Sequence, residues 1–156
     1  MEKAFKEIQK YPGSSYILIV PLLIVLMLFV FSVDVWFQLF LGSIVLVLAL
    51  SLLYVFTARF IIEINSSGVS YQVTPLGKKQ YISKNDITNI EVINLDFIGT
   101  FGGWGARKRK GKKAYIFNDG DFIFIKTSEM SYYFSIKDST VFFERIPHYF
   151  VDHTAQ

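Results

Sequence analysis

The chain of 156 residues carries 16 Lys and Arg against 13 Asp and Glu, a formal net charge of +3, and 52% of it is hydrophobic. That apolar share is high for an ordinary soluble domain, while 19% charged residues exclude a chain embedded in membrane throughout, so the apolar excess must be concentrated in one region. The absence of cysteine excludes disulfides, thiolate metal sites and a cysteine nucleophile.

Residues 1–14 precede the apolar region. Ala4, Phe5, Ile8 and Tyr11 recur at helical spacing among Lys3, Lys6, Glu7 and Lys10. This pattern predicts a short amphipathic helix lying on a membrane surface, with a frayed tail as the alternative, ended by Pro12-Gly13.

The excess lies in residues 15–56, which read as a two-helix transmembrane hairpin. Tyr16 to Val33 is an eighteen-residue run interrupted only by Pro21 and Ser32. At 1.5 Å per residue it would reach roughly 27 Å, near the hydrocarbon thickness of a bilayer. Val35 to Phe56 is twenty-two residues long and can cross back. The turn around Asp34 would sit at the far interface with Trp36 as an anchor. A cleaved signal peptide fits less well, because the run is too long for a signal core and no small-x-small site follows. The turn has no Lys or Arg, whereas Lys3, Lys6, Lys10 and Arg59 flank the hairpin, so both termini are expected in the cytoplasm.

From residue 57 the period changes from helical to alternating. Seven strands are expected, at about Ala58 to Ile64, Val69 to Val73, Lys79 to Ile82, Thr88 to Asn94, Lys113 to Phe117, Phe122 to Lys126 and Ser131 to Ile136. Phe122 to Ile125 is apolar on both faces and predicts a strand covered on both sides. Asn118-Asp119-Gly120 is a hairpin-turn signal. Asp138 or Ser139 can cap a short helix that turns Phe142, Phe143 and Ile146 towards the sheets before Pro147 ends it. A single long connection, Leu95 to Lys112, divides the strands into four and three, as for two antiparallel sheets packed face to face. Residues 151–156 are a tail.

Within that connection, Trp104 is followed by Arg107, Lys108, Arg109, Lys110, Lys112 and Lys113, six cations in seven residues. Without them the chain is net acidic. They are the candidate site residues, for contact with an anionic lipid or an acidic partner. If successive strands reverse direction, this connection falls on the membrane-facing side of the domain.

The run Gly102-Gly103-Trp104-Gly105-Ala106-Arg107, followed by Gly111, Tyr115 and the Asn118-Asp119-Gly120 turn, resembles bacterial pleckstrin-homology-like (PH-like) proteins that carry a two-helix membrane hairpin before the domain. The resemblance implies a membrane α-helical hairpin followed by an α+β PH-like domain over residues 57–150, with seven antiparallel strands in two packed sheets closed by a C-terminal helix. It also implies location in the bacterial inner membrane, and it supplies no active site.

Little chemistry is visible in the sequence. The glycines lack the Gly-Lys-Ser/Thr of a phosphate loop, and His148 and His153 are poorly spaced for one helical face. Asp119 and Asp121 read as turn formers, and no nucleophile elbow is present. No catalytic residue, metal or cofactor is expected. The leading expectation is a non-enzymatic tethered module whose basic loop meets anionic headgroups and whose barrel binds a partner. The alternative is an accessory subunit of a larger membrane assembly, its loop docked on an acidic protein face. Nucleic acid is not an expected partner.

Overall fold

A computed structural model describes residues 5–12, 17 and 19–145. Its described part divides into two units: a helical one between Pro12 and Ala58, and a β-rich one formed by the residues before Pro12 together with those from Arg59 onward.

In the helical unit, α1 (Ile19–Phe31) and α2 (Val35–Thr57) are joined by Ser32 to Asp34. The Asp34 carboxylate caps α2 by accepting from the Phe37 N–H at 2.8 Å, and Gln38 Nε2 donates to the Ser32 carbonyl at 2.6 Å, which closes the turn. The Phe29 ring lies 3.5 Å from where a Cβ on Gly42 would stand, so the helices pack closely there. Among the described residues only α2, with 23 residues, is long and apolar enough to cross a membrane. The described helical part of the first run has 13 residues, about 20 Å at the helical rise, against the eighteen-residue span expected from its composition. Ser32, Val33 and Asp34 leave the helix to make the turn.

Among the described residues of the β-rich unit there are nine strands rather than seven. Sheet one is a meander, β1 (Phe5–Lys10), β2 (Arg59–Asn65), β3 (Gly68–Thr74) and β4 (Gln80–Ser83), in the order β1-β2-β3-β4. Sheet two contains β5 (Ile87–Asn94), β6 (Gly105–Arg109), β7 (Lys112–Ile116), β8 (Asp121–Thr127) and β9 (Ser131–Ser135), in the order β5-β8-β9-β7-β6. A short helix, α3 (Phe97–Phe101), precedes β6, and α4 (Ser139–Arg145) follows β9.

Several further expectations are corrected. The amphipathic helix expected before Pro12 is the edge strand β1, which pairs antiparallel with β2 from Phe5↔Ile64 to Lys10↔Arg59. The helical hairpin is therefore inserted between two neighbouring strands. Second, the sheets divide at the 3-10 turn Lys84–Asp86, not at Leu95 to Lys112, so the strand expected over Thr88 to Asn94 belongs to the second sheet. Third, the strands are not all antiparallel, because β7 and β9 are parallel. Asn118-Asp119-Gly120 does not close a hairpin between neighbours, since β9 lies between β7 and β8. The link instead passes round the end of β9, where Asn118 Nδ2 donates to the Ile136 carbonyl at 3.1 Å and the Ile136 N–H donates to the Asp121 carbonyl at 2.9 Å. Fourth, Phe143 on α4 is exposed, whereas Phe142 is buried edge-on against Phe5 at 5.3 Å. Ile146, His148 and His153 lie outside the described residues.

Alternation explains the core. Phe60, Ile62 and Ile64 of β2, with Val69 and Tyr71 of β3, pack on Ile123, Ile125 and Phe134 of the second sheet. The opposite face of that sheet, with Ala114, Ile116, Phe122 and Tyr133, is covered by Phe97, Phe101 and Trp104. Strand β8 is thus covered on both sides, as its sequence predicts.

Candidate functional site

The six cations lie on a β-hairpin, not on a loop. Strands β6 and β7 pair from Gly105↔Ile116 to Arg109↔Lys112 and turn at Lys110-Gly111. Gly111, with φ +66°, takes the left-handed conformation that the tight turn requires. No buried apolar side chain drives β6, whose sequence is Gly-Ala-Arg-Lys-Arg and whose Ala106 is exposed. Its partner β7 carries it: Ala114 and Ile116 are buried, and β7 is fixed in turn by parallel pairing to β9.

Alternation sorts the charges onto two faces. Arg109 pairs with Lys112, on the face covered by α3, where Arg109 Nη1 donates to the Thr100 carbonyl at 2.8 Å and Lys112 Nζ stands 5.9 Å from the Tyr133 ring centre. Lys108 pairs with Lys113 on the other face, where Lys113 Nζ stands 5.6 Å from the Tyr132 ring centre. Cations over ring faces gain modest attraction. Like charges directly opposite each other across a strand pair nonetheless destabilise it. Arg107, Lys108, Arg109, Lys110 and Lys112 are exposed, and Lys113 is half-buried.

Trp104 is placed differently. Its indole packs on Phe97 with ring centres 5.8 Å apart, and Nε1 donates to Asp119 Oδ1 at 2.6 Å. It sits at the open end of the hairpin, beside Gly105, and ties the segment before β6 to the link after β7. Asp121 accepts from Asn94 Nδ2 at 3.3 Å, so both carboxylates of that link are engaged in holding it.

What sequence reasoning missed is the anchoring of this hairpin by β1. Strand β1 runs across the ends of β9, β7 and β6. Glu7 Oε1 accepts from the Lys137 N–H at 3.0 Å, the Tyr11 ring meets Phe117 at 4.6 Å, and the Tyr11 hydroxyl lies 2.8 Å from where a Cβ on Gly105 would stand. Between them, buried Gln9 and Ser135 bond side chain to side chain at 2.8 Å, and Ser135 Oγ accepts from the Phe117 N–H at 2.9 Å. Burial pushes the Glu7 carboxyl above its ordinary range, opposed by the hydrogen bonds from the Lys137 N–H and from Gln9. Burial likewise raises the Tyr71 hydroxyl, with Tyr115 and Tyr132 adding to it, and Tyr71 donates to Gln80 Oε1 at 2.6 Å.

A small cleft of about 190 Å³ lies elsewhere, between Tyr81, Asp86, Thr127, Glu129 and Tyr132. Among the described residues no three His, Cys, Asp or Glu come together as a metal site. Comparison with protein-family models, curated proteins and solved structures finds no match to the chain.

Proposed function

We propose that the protein is a non-enzymatic, membrane-tethered module of PH-like type, held by the α1–α2 hairpin with the β-rich unit on the cytoplasmic side, and that the β6–β7 hairpin binds anionic lipid headgroups. The observation that carries this reading is the cross-strand pairing of Lys108 with Lys113 and of Arg109 with Lys112. A hairpin kept only for stability or solubility gains from alternating signs across the pair, whereas this one holds repulsion that a phosphate-bearing surface relieves. Each cation near an anionic leaflet contributes about 1 kcal/mol before screening. Anchoring does not need that energy; orienting the domain, or choosing the lipid around it, does. A protein partner bound at the barrel completes the reading.

The chain lacks cysteine, so Lys110→Cys gives a single labelling site. In proteoliposomes, a polarity-sensitive dye there is expected to shift to the blue when phosphatidylglycerol replaces neutral lipid, and to return as salt rises. An unchanged spectrum across both lipids and all salt concentrations rejects the proposal. Co-purification of the full chain in mild detergent with a fixed second protein in constant ratio supports instead an accessory subunit that docks the hairpin on an acidic protein face.

A further inference from the structure

The geometry points to a second lipid contact, distinct from the basic hairpin: the β3–β4 turn, Pro75 to Lys79, as a wedge that sets Leu76 into the bilayer interface. Leu76 is 80% exposed, the most exposed large apolar side chain among the described residues of the β-rich unit. The turn holds it there by design of its backbone. The Gly77 N–H donates to the Val73 carbonyl at 2.6 Å, and Gln72 Nε2 donates to the Gly77 carbonyl at 2.9 Å. A Cβ on Gly77 would stand 2.3 Å from the Val73 oxygen, so the tight return requires glycine. A leucine presented in water on a turn this closely bonded is not a consequence of a loose loop.

The covalent chain says what covers it. Thr74 pairs with Arg59, and Arg59 follows Ala58, which caps α2 through its N–H to the Tyr54 carbonyl. Two residues of extended chain reach at most about 7 Å, and one strand spacing adds about 5 Å, so Thr74 stays near the end of the membrane-crossing helix however the units are disposed. Lys78 and Lys79 follow Leu76, and no Asp or Glu lies between Glu63 and Asp86. An apolar tip beside cations, close along the chain to a membrane helix end, has the chemistry of an interfacial anchor. This inference needs α2 to cross the bilayer, but it does not need the β6–β7 hairpin to bind lipid.

The test uses the full chain in proteoliposomes, with bimane attached at Leu76→Cys or at Asn85→Cys, an exposed position in the turn that follows the other end of β4. Lipids carrying a nitroxide high on the acyl chain are expected to quench the label at 76 at least about twofold more than that at 85, in neutral as well as anionic vesicles, and Leu76→Asp should leave the fold intact while shifting the domain's protease sensitivity. Equal quenching at the two positions overturns the proposal. So does a label at 76 that is shielded from aqueous iodide yet untouched by the lipid nitroxide, since a protein or a second copy then covers it. Quenching at 76 without a dye shift at 110 supports the wedge and rejects the hairpin reading, and the reverse outcome separates them in the opposite sense.

Discussion

Gln9 and Ser135, 126 positions apart, are both fully buried and exchange hydrogen bonds in both directions: Ser135 Oγ donates to Gln9 Oε1, and Gln9 Nε2 donates to the Ser135 carbonyl. The second amide proton of Gln9 goes to Glu7 Oε1 at 2.6 Å, so the amide is satisfied on both sides. This pair joins the strand before the helical hairpin to the strand that supports the basic one.

Ser135→Ala leaves the buried Gln9 Oε1 and the Phe117 N–H without this partner, and Gln9→Ala takes a donor from the Ser135 carbonyl and an acceptor from its hydroxyl. Gln9→Ala and Ser135→Ala are each expected to destabilise the protein by about 1–3 kcal/mol, and the double variant by about 1 kcal/mol less than the sum. Denaturant unfolding in detergent, followed by near-ultraviolet circular dichroism, measures this. Additive losses would mean that the two side chains are not coupled.

The Glu7 carboxyl is raised by burial, so the folded state holds its proton more tightly than the unfolded state does. Its stabilising contribution is complete below the unfolded value of 4.5 and is lost as pH rises through the folded value. Glu7→Gln keeps an acceptor for the Lys137 N–H without the partly buried charge. Its melting temperature should therefore match or exceed that of the parent at pH 7, with less dependence on pH across the weakly acidic range. A lower melting temperature at pH 7 together with an unchanged pH profile contradicts this.

Phe142 is expected to be the decisive side chain of α4. Phe142→Ala removes a buried ring packed on Phe5 and should cost about 3–5 kcal/mol, whereas Phe143→Ala, at an exposed position on the same helix, should cost a fraction of that. Comparable losses for the two variants would mean that α4 packs by its other face.

Lys108→Glu sets opposite charges across the pair with Lys113. The isolated protein should gain about 0.2–1 kcal/mol, while the salt-sensitive response to phosphatidylglycerol at position 110 weakens. Stability and lipid contact thus move in opposite directions, and a variant that gains both argues against headgroup binding.

The elements legible in the sequence were those with a strong period. Strands β2, β3 and β9 largely alternate apolar and polar residues, β8 is a short run apolar on both faces, and α2 is a continuous apolar run. Strand β1 was illegible because its alternation is inverted: Ile8 is 51% exposed while Gln9 is buried. Only the contacts with Ser135 and Glu7 make a buried glutamine affordable, and those residues are far away in sequence or disguised as one face of a helix. Strand β6 has no large apolar residue to announce it and borrows its conformation from β7. The Asn118-Asp119-Gly120 turn was recognised, but turn chemistry is local and does not reveal that β9 will enter between the strands it joins. The cations of the candidate site were plain in the sequence; that they face one another as like pairs required the register.

Interrupting the first sheet with the helical hairpin also fixes an order of events during synthesis. Strand β1 leaves the ribosome before either helix, yet its partner β2 follows only after both have emerged. Residues 5–10 must wait, unpaired, until both apolar helices have been synthesised, and the sheet can close only after them. Expression from residue 57 onward would not yield the domain, since it lacks the strand that carries Phe5 and Gln9. Lys10 and Arg59 stand side by side, so joining residues 5–12 to 59–145 through a short glycine turn is the economical route to a water-soluble form. In the intact chain, closure of the first sheet therefore reports that the helical segment between its first two strands is complete.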